Sequence, residues 1–388
     1  MGAKFGRLRI ILADGSLAGY PQGGGHWSVL LQYVLGLRDL GHDVVWLELL
    51  PSSGDPATDR RLIHRFFRRF RHYGVGDRCA LLCFDKTPSL ESAQASGLSI
   101  QEIRELARSA DLMWNFACGV RQPLLSLFRH PVLVDLDPGH LQVSALTCDL
   151  EIPAHQAFLT VGVNMGDADC GVPTLGLKWK PFLPFVYLPW WRITPDPGAR
   201  APFTSVTHWQ WEELWWQGRV LSVSKRDAYL RYLELPQRAA RTFELAANLH
   251  PDDTTGDRDL LRRHGWNLVH PYRVAGSPSA YRRYIQRSRA EFCCPKPIHR
   301  ELRTGWFSDR SAAYLASGRP VLSEDTGFGK ALPTGDGLLT FRTLDEAVAA
   351  VEEIDANYAR HMQAARELAE SHLDSRRSLD AMLTASQP

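Results

Sequence analysis

Residues 8–13, LRIILA, form an apolar run of strand length, and a glycine-rich loop follows as far as residue 25. From 27 to 40 the apolar positions Leu30, Leu31, Val34, Leu35 and Leu37 recur at helical spacing. Gly41 is placed to end that helix, and 44–47 reads as the next strand. The chain thus opens as a βαβ unit. Apolar runs at 110–116 and 131–135 predict two further strands, the second leading into the turn LDPGH. A second series begins at 203–207. It continues with a helix from Lys225 to about residue 233, a strand or short helix at 242–248, a short strand at 266–269, a helix at 281–288, and a strand at 290–294 that ends at Pro295 and Lys296. From 343 the pattern is helical, over 344–354 and 358–373, and the tail beyond 374 has the spacing of one last helix reaching back across the other domain.

The densest pattern lies at 305–329, GWFSDRSAAYLASGRPVLSEDTGFG. Ser308 precedes the periodic residues Ala312, Tyr314, Leu315 and Ala316 as a helix N-cap, Gly318 stops the helix, and 319–324 reads as a buried strand. A helix N-terminus offers unpaired N–H groups and partial positive charge, and Arg310 adds a fork of donors, an arrangement that suits a phosphate or diphosphate. A plain helix cap with a surface Asp309–Arg310 pair is the alternative.

Length and composition narrow the class. The chain has 388 residues, enough for two domains with their own cores, with 44% hydrophobic and 23% charged residues. A net charge of +2 gives no ground for a nucleic-acid partner. Seven cysteines without a C-x-x-C pair fit a reducing, cytoplasmic compartment, and no secretory h-region is evident. The most apolar run, 181–191, is broken by three prolines, so no membrane span is expected. Residues 175–217 hold seven of the twelve tryptophans and read as the crossing between domains, either interface packing or a platform for an apolar or sugar-bearing ligand. Residues 59–73 set six arginines around Leu62, Phe66, Phe67 and Phe70. That pattern reads first as an edge helix packing its Phe stripe, and second as a helix lying on an anionic membrane or an acidic partner.

Other candidate chemistry is sparser. Gly23, Gly24 and Gly25, with Glu48 ending the second strand, invite a dinucleotide reading, but the third glycine of G-x-G-x-x-G is missing, which leaves an NAD-dependent oxidoreductase as a distant competitor. Asp137 and His140 sit in a turn at the carboxyl end of a strand, where open α/β sheets bind ligands, and a histidine there can serve as acid or base. Asp135 and Asp137 have D-x-D spacing, but two carboxylates are a thin ligand set, so no metal is expected.

The segments GLRDLGHDVVWLE and ASGRPVLSEDTGFGKALPTGDGLLTF resemble the acceptor and donor domains of GT-B fold glycosyltransferases of the group 1 branch. The resemblance implies an α/β chain of two Rossmann-like domains facing across a cleft. The expected parts are an acceptor-binding domain over 1–195, a nucleotide-sugar-binding domain over 196–365, and a C-terminal helix over 366–388 packing back on the first. It implies transfer of a sugar from a nucleoside-diphosphate sugar, without metal or cofactor, to a small-molecule acceptor such as a natural product. A catalytically silent nucleotide- or partner-binding protein and a sugar-nucleotide epimerase are the alternatives. Donor contacts are expected from His208, Lys225, Lys296, Ser308, Asp309, Arg310, Ser311, Thr326, Gly327 and Gly329, with Arg219 or Arg310 as a second cation. Acceptor contacts are expected from Gly23, Gly24, Gly25 and Trp27, and catalysis from His140, His26 or Asp137. The branch's paired glutamates fall here on Gly305 and Ala313, so both carboxylates are absent and Asp309, one turn before Ala313, is the substitute for the ribose. The chain looks like a divergent branch marked by F-S-D-R-S.

Overall fold

The computed structural model describes residues 6–249 and 254–387; positions 1–5, 250–253 and 388 of the expected domains lie outside it. Two sheets dominate. The first holds eight strands: β1 Arg9–Ala13, β2 Asp43–Pro51, β3 Cys79–Phe84, β4 Gln94–Ser96, β5 Leu112–Phe116, β6 Pro131–Asp135, β7 Ala157–Thr160 and β8 Trp179–Pro181. Their order is β4-β3-β2-β1-β5-β6-β7-β8, parallel throughout except for β4 against β3. Helices on both faces explain the near-continuous apolar runs: β2, read from sequence as four residues, extends to nine, seven of them buried.

The second sheet is built from β9 Phe203–His208, β12 Phe243–Asn248, β13 Trp266–Leu268, β14 Ala290–Cys293, β15 Val321–Glu324 and β16 Leu338–Phe341. Its order is β13-β12-β9-β14-β15-β16, which is the doubly wound 3-2-1-4-5-6 arrangement. Between β9 and β12 stands a separate antiparallel hairpin of β10 Glu213–Trp216 and β11 Arg219–Ser222. The expected crossing at 175–217 therefore contains β8, β9 and the first strand of this hairpin, whose short strands carry too few residues to show a period of two.

Two helices of the first domain matter below. α1, Gly24–Asp39, follows β1, and α2, Pro56–His72, follows β2. The last helix, Ser375–Ala385, leaves the second domain and packs on α1, burying Leu379, Met382 and Leu383 in the first domain's core. Ser386 beyond it accepts a hydrogen bond from the Trp114 indole at 3.0 Å. The two domains thus face each other with the carboxyl ends of both sets of strands toward a shared cleft, the architecture that the resemblance implies. An apolar cluster also spans them, with Leu133, Val143 and Met165 from one side meeting Leu221, Ile298 and Leu302 from the other.

Candidate functional site

The cleft encloses a cavity of about 590 Å³, within the usual range for a small-molecule site. In both sheets the winding reverses beside the first strand, between β1 and β5 and between β9 and β14. The cavity is lined by Asp14, Gly15 and Ser16 after β1, Ala117 and Gly119 after β5, His208 ending β9 and Lys296 after β14. Ligands collect at such reversals because the two flanking loops diverge and leave a crevice.

The start of α1 forms the floor between the domains. A Cβ on Gly24 would lie 2.2 Å from the Ala275 carbonyl oxygen and 2.4 Å from that of Ser277, both in the second domain, and one on Gly23 would lie 2.2 Å from the Tyr20 ring. These glycines line the cleft, but close approach to the opposite domain is what requires Gly24, and packing on the Tyr20 ring of its own domain is what requires Gly23. With the α1 N-terminus so covered, and Glu48 fully buried accepting from Ala18 N–H and the Trp46 indole, neither half of a dinucleotide fingerprint is free. The nicotinamide reading loses its ground.

The wall of the second domain is cationic. Lys225 opens the helix Lys225–Leu230 and points its ammonium over the Trp306 ring at 5.5 Å, without a hydrogen bond or carboxylate partner among the described residues. Burial, with Arg310 nearby, lowers its pKa to about 8. Lys296 lies over the Trp211 ring at 5.1 Å and is ion-paired across the cleft with Asp137. Burial alone would raise the Asp137 pKa, but Lys296, then His140 and His299, hold it well below the usual carboxylate range. His208 meets Tyr20 of the first domain at 3.1 Å and has a lowered pKa, from burial and then from Lys225. His26 donates from Nε2 to the Gly15 carbonyl. A carbonyl only accepts, so Nε2 carries the proton; burial lowers the ring's pKa, which leaves Nδ1 with a free lone pair near neutrality.

Several expected residues occupy other places. Arg310 touches the cleft, but its guanidinium is buried and spent on Glu291, the Val206 carbonyl at 2.8 Å and Cys293 Sγ at 3.2 Å. It ties the helix Asp309–Ala316 to β9 and β14 and is no free anion hook. Arg219 pairs with Glu301 at 3.7 Å, away from the cleft lining. Ser308 caps its helix through Arg310 N–H at 3.2 Å, and Ser311 is buried beside Cys293. Of that cluster Asp309 alone presents a side chain open to the cleft. Thr326 donates to the Trp306 carbonyl at 2.6 Å, while Asn164 of the first domain donates to the Gly327 carbonyl at 3.2 Å. None of that loop is part of the cleft lining: Asn164 covers Gly327, and Gly329 is exposed on the surface outside the cleft. Trp27 is fully buried, with the Arg69 guanidinium 4.5 Å over its ring, and takes no place among acceptor contacts. His140 stands behind Asp137, 3.0 Å from its carboxylate, outside the lining. Asp135 is enclosed by Gln142 and Thr160, so the D-x-D pair has both members engaged.

Two groups went unread in the sequence. Asp14 follows the first strand, accepts Ser16 N–H at 3.1 Å and Leu49 N–H at 3.2 Å through Oδ1, and lines the cleft. Burial raises its pKa to about 6 against those two bonds. Behind it Glu48 is raised well above its ordinary value by burial and then by Asp14. Beside this carboxyl the first-domain half of the cleft is apolar, with Val29, Leu30, Tyr33, Phe116 and Phe185. The signal that could have found Asp14 was its position at the carboxyl end of the central strand. His299, against Asp137 at 3.3 Å and stacked on Trp306 at 4.7 Å, gave no sequence signal.

Residues 236–384 match the family described as glycosyl transferase-like. No curated protein matches the chain. Among solved structures, an α-glucosyltransferase in complex with UDP aligns with TM-score 0.63 at 10% identity, covering 98% of this chain and 99% of that one. HepE of Anabaena, in complex with UDP and glucose, aligns with TM-score 0.55 at 13% identity, covering 98% and 100%. Sucrose-phosphate synthase of Thermosynechococcus elongatus aligns with TM-score 0.56 at 12% identity, covering 97% of each. The second domain carries the match to the glycosyl transferase-like family, and the two doubly wound domains closing on one cleft have the GT-B fold of these solved glycosyltransferases.

Proposed function

We propose that the protein moves a sugar from a uridine-diphosphate sugar to a small, largely apolar acceptor of natural-product type. The observation that carries this reading is Lys225, a recessed ammonium without an anionic partner that faces the cleft at the winding reversal of the second domain. A leaving nucleoside diphosphate gains negative charge as its bond to the sugar breaks, and a preorganised cation in a dry site stabilises that charge. The α-glucosyltransferase and HepE structures contain UDP, which supports uridine as the base. The α-glucosyltransferase is also seen with DNA. Here the opposite half of the cleft has the apolar walls named above and two carboxyls, Asp14 and the Lys296-paired Asp137, which suits a ring bearing a hydroxyl better than a phosphate backbone. Asp14 or His26 Nδ1 takes the hydroxyl proton as the oxygen attacks the anomeric carbon and UDP departs with the bonding pair.

A thermal-shift panel with UDP, dTDP, GDP, ADP and NAD tests the donor side. At about 100 times its dissociation constant a ligand stabilises by roughly 2.7 kcal/mol, a shift of several degrees. UDP is expected to shift the wild type and to leave Lys225→Ala unmoved. UDP release in the presence of aromatic acceptors then tests transfer. UDP binding with no turnover would identify a binding protein instead, and no shift with any diphosphate would remove the reading.

A further inference from the structure

α2 settles one reading of its sequence and opens another. Phe66 and Phe70 are buried in the first domain's core, and Leu62, Ile63 and Phe67 are half-buried against it, so the Phe stripe is packing. The opposite face exposes Arg60, Arg61, Arg65, Arg68 and Arg71. Among the described residues only Arg61 has an acidic partner, Asp55 at 3.9 Å; the other four have no ion pair or hydrogen bond. The helix carries six arginines and one aspartate in a chain whose net charge is only +2, so positive charge is concentrated here. Arginines three and four residues apart repel one another and weaken the helix, and among the described residues only Asp55, beside Arg61, offsets that repulsion.

We propose that α2 seats the protein on an anionic lipid surface. The row from Arg60 to Arg71 runs about 16 Å along one straight helix. A flat layer of headgroups meets every arginine in such a row at once, and the chain's net charge of only +2 gives a duplex no wider basic footprint to hold. With the Phe stripe already buried the attachment is electrostatic, without insertion of the helix. Each arginine brought to such a surface strengthens binding roughly five-fold. The seat also lies beside the cleft: Arg69 donates to the Pro21 carbonyl at 2.8 Å, in the loop whose Tyr20 and Gln22 line the cavity. The charge pattern alone carries the inference, independently of which sugar donor is used.

Flotation of the whole protein with vesicles of 70% phosphatidylcholine and 30% phosphatidylglycerol tests it, against pure phosphatidylcholine vesicles, at 0.1 M and 1 M salt. The expected result is binding to the anionic vesicles at 0.1 M salt, lost at 1 M, where the screening length falls to about 3 Å. The variant R60Q/R61Q/R65Q/R68Q should bind at least a hundred-fold more weakly while melting no lower than the wild type. Absence of wild-type binding, equal binding by the variant, or equal binding to neutral vesicles would each overturn the proposal. A duplex-DNA mobility shift abolished by the same substitutions, with no vesicle binding, would assign the face to nucleic acid instead. Should the variant unfold, the wild-type comparison between vesicle types and salt concentrations still decides.

Discussion

Asp14 shows how one side chain sets stability against chemistry. Its folded pKa is raised to about 6, so between roughly pH 4 and 6 the native state holds its proton more tightly than the unfolded chain does. Stability contributed at low pH is therefore lost as pH rises through that window. Asp14→Asn keeps an oxygen for Ser16 and Leu49 and removes the charge, so its melting temperature should exceed the wild type's at pH 8 and match it at pH 4. If Asp14 takes the acceptor's proton, the same variant loses roughly 10²- to 10⁴-fold in turnover. Lys225 has the opposite sign. With a pKa lowered to about 8 it is charged below that value, so UDP affinity should fall as pH rises from 7 to 9. Lys225→Arg, charged throughout, should abolish that pH dependence in calorimetric titrations. Ser308 was legible from sequence as a cap because capping depends on neighbours two and three residues away. Arg310 was not, because its partners Glu291 and Val206 come from other strands and local spacing does not say which way a helix turns.

Among the elements, the hairpin of β10 and β11 has two unlike faces. Trp215 and Val220 are cross-strand partners on the exposed side, Trp215 at 70% of its full exposure, while Leu221 on the other side is fully buried between the domains. Leu221→Ala should cost about 2–5 kcal/mol by leaving a cavity at the interface, whereas Trp215→Ala should change stability by no more than about 0.5 kcal/mol. Chemical denaturation of the two variants separates these outcomes. β1 and β6 were legible as unbroken apolar runs and α1 by its apolar positions at helical spacing. The hairpin was hidden among tryptophans whose side, in or out, depends on which sheet lies behind them.

For the whole molecule, the closeness of the two domains rests on Gly24. Alanine in a helix ordinarily gains up to about 1 kcal/mol over glycine. Here the added methyl meets two backbone carbonyls at under 2.5 Å that cannot swing aside, and overpacking of this kind costs roughly 1–3 kcal/mol. Gly24→Ala should therefore melt at a lower temperature and show a larger radius of gyration by small-angle scattering; an unchanged radius would mean the domains yield without parting. Tertiary fit of this kind leaves no trace in a single sequence beyond the glycine itself.

The last helix has a consequence for how the chain is made. Leu379, Met382 and Leu383 complete a core whose strands end at residue 181, so the ribosome must add about two hundred residues before the first domain receives its final piece. At about 5–20 residues per second that is a delay of roughly 10–40 s. Throughout it, the groove on α1 stands open in the nascent protein, and a chaperone has that long to hold it before the tail arrives.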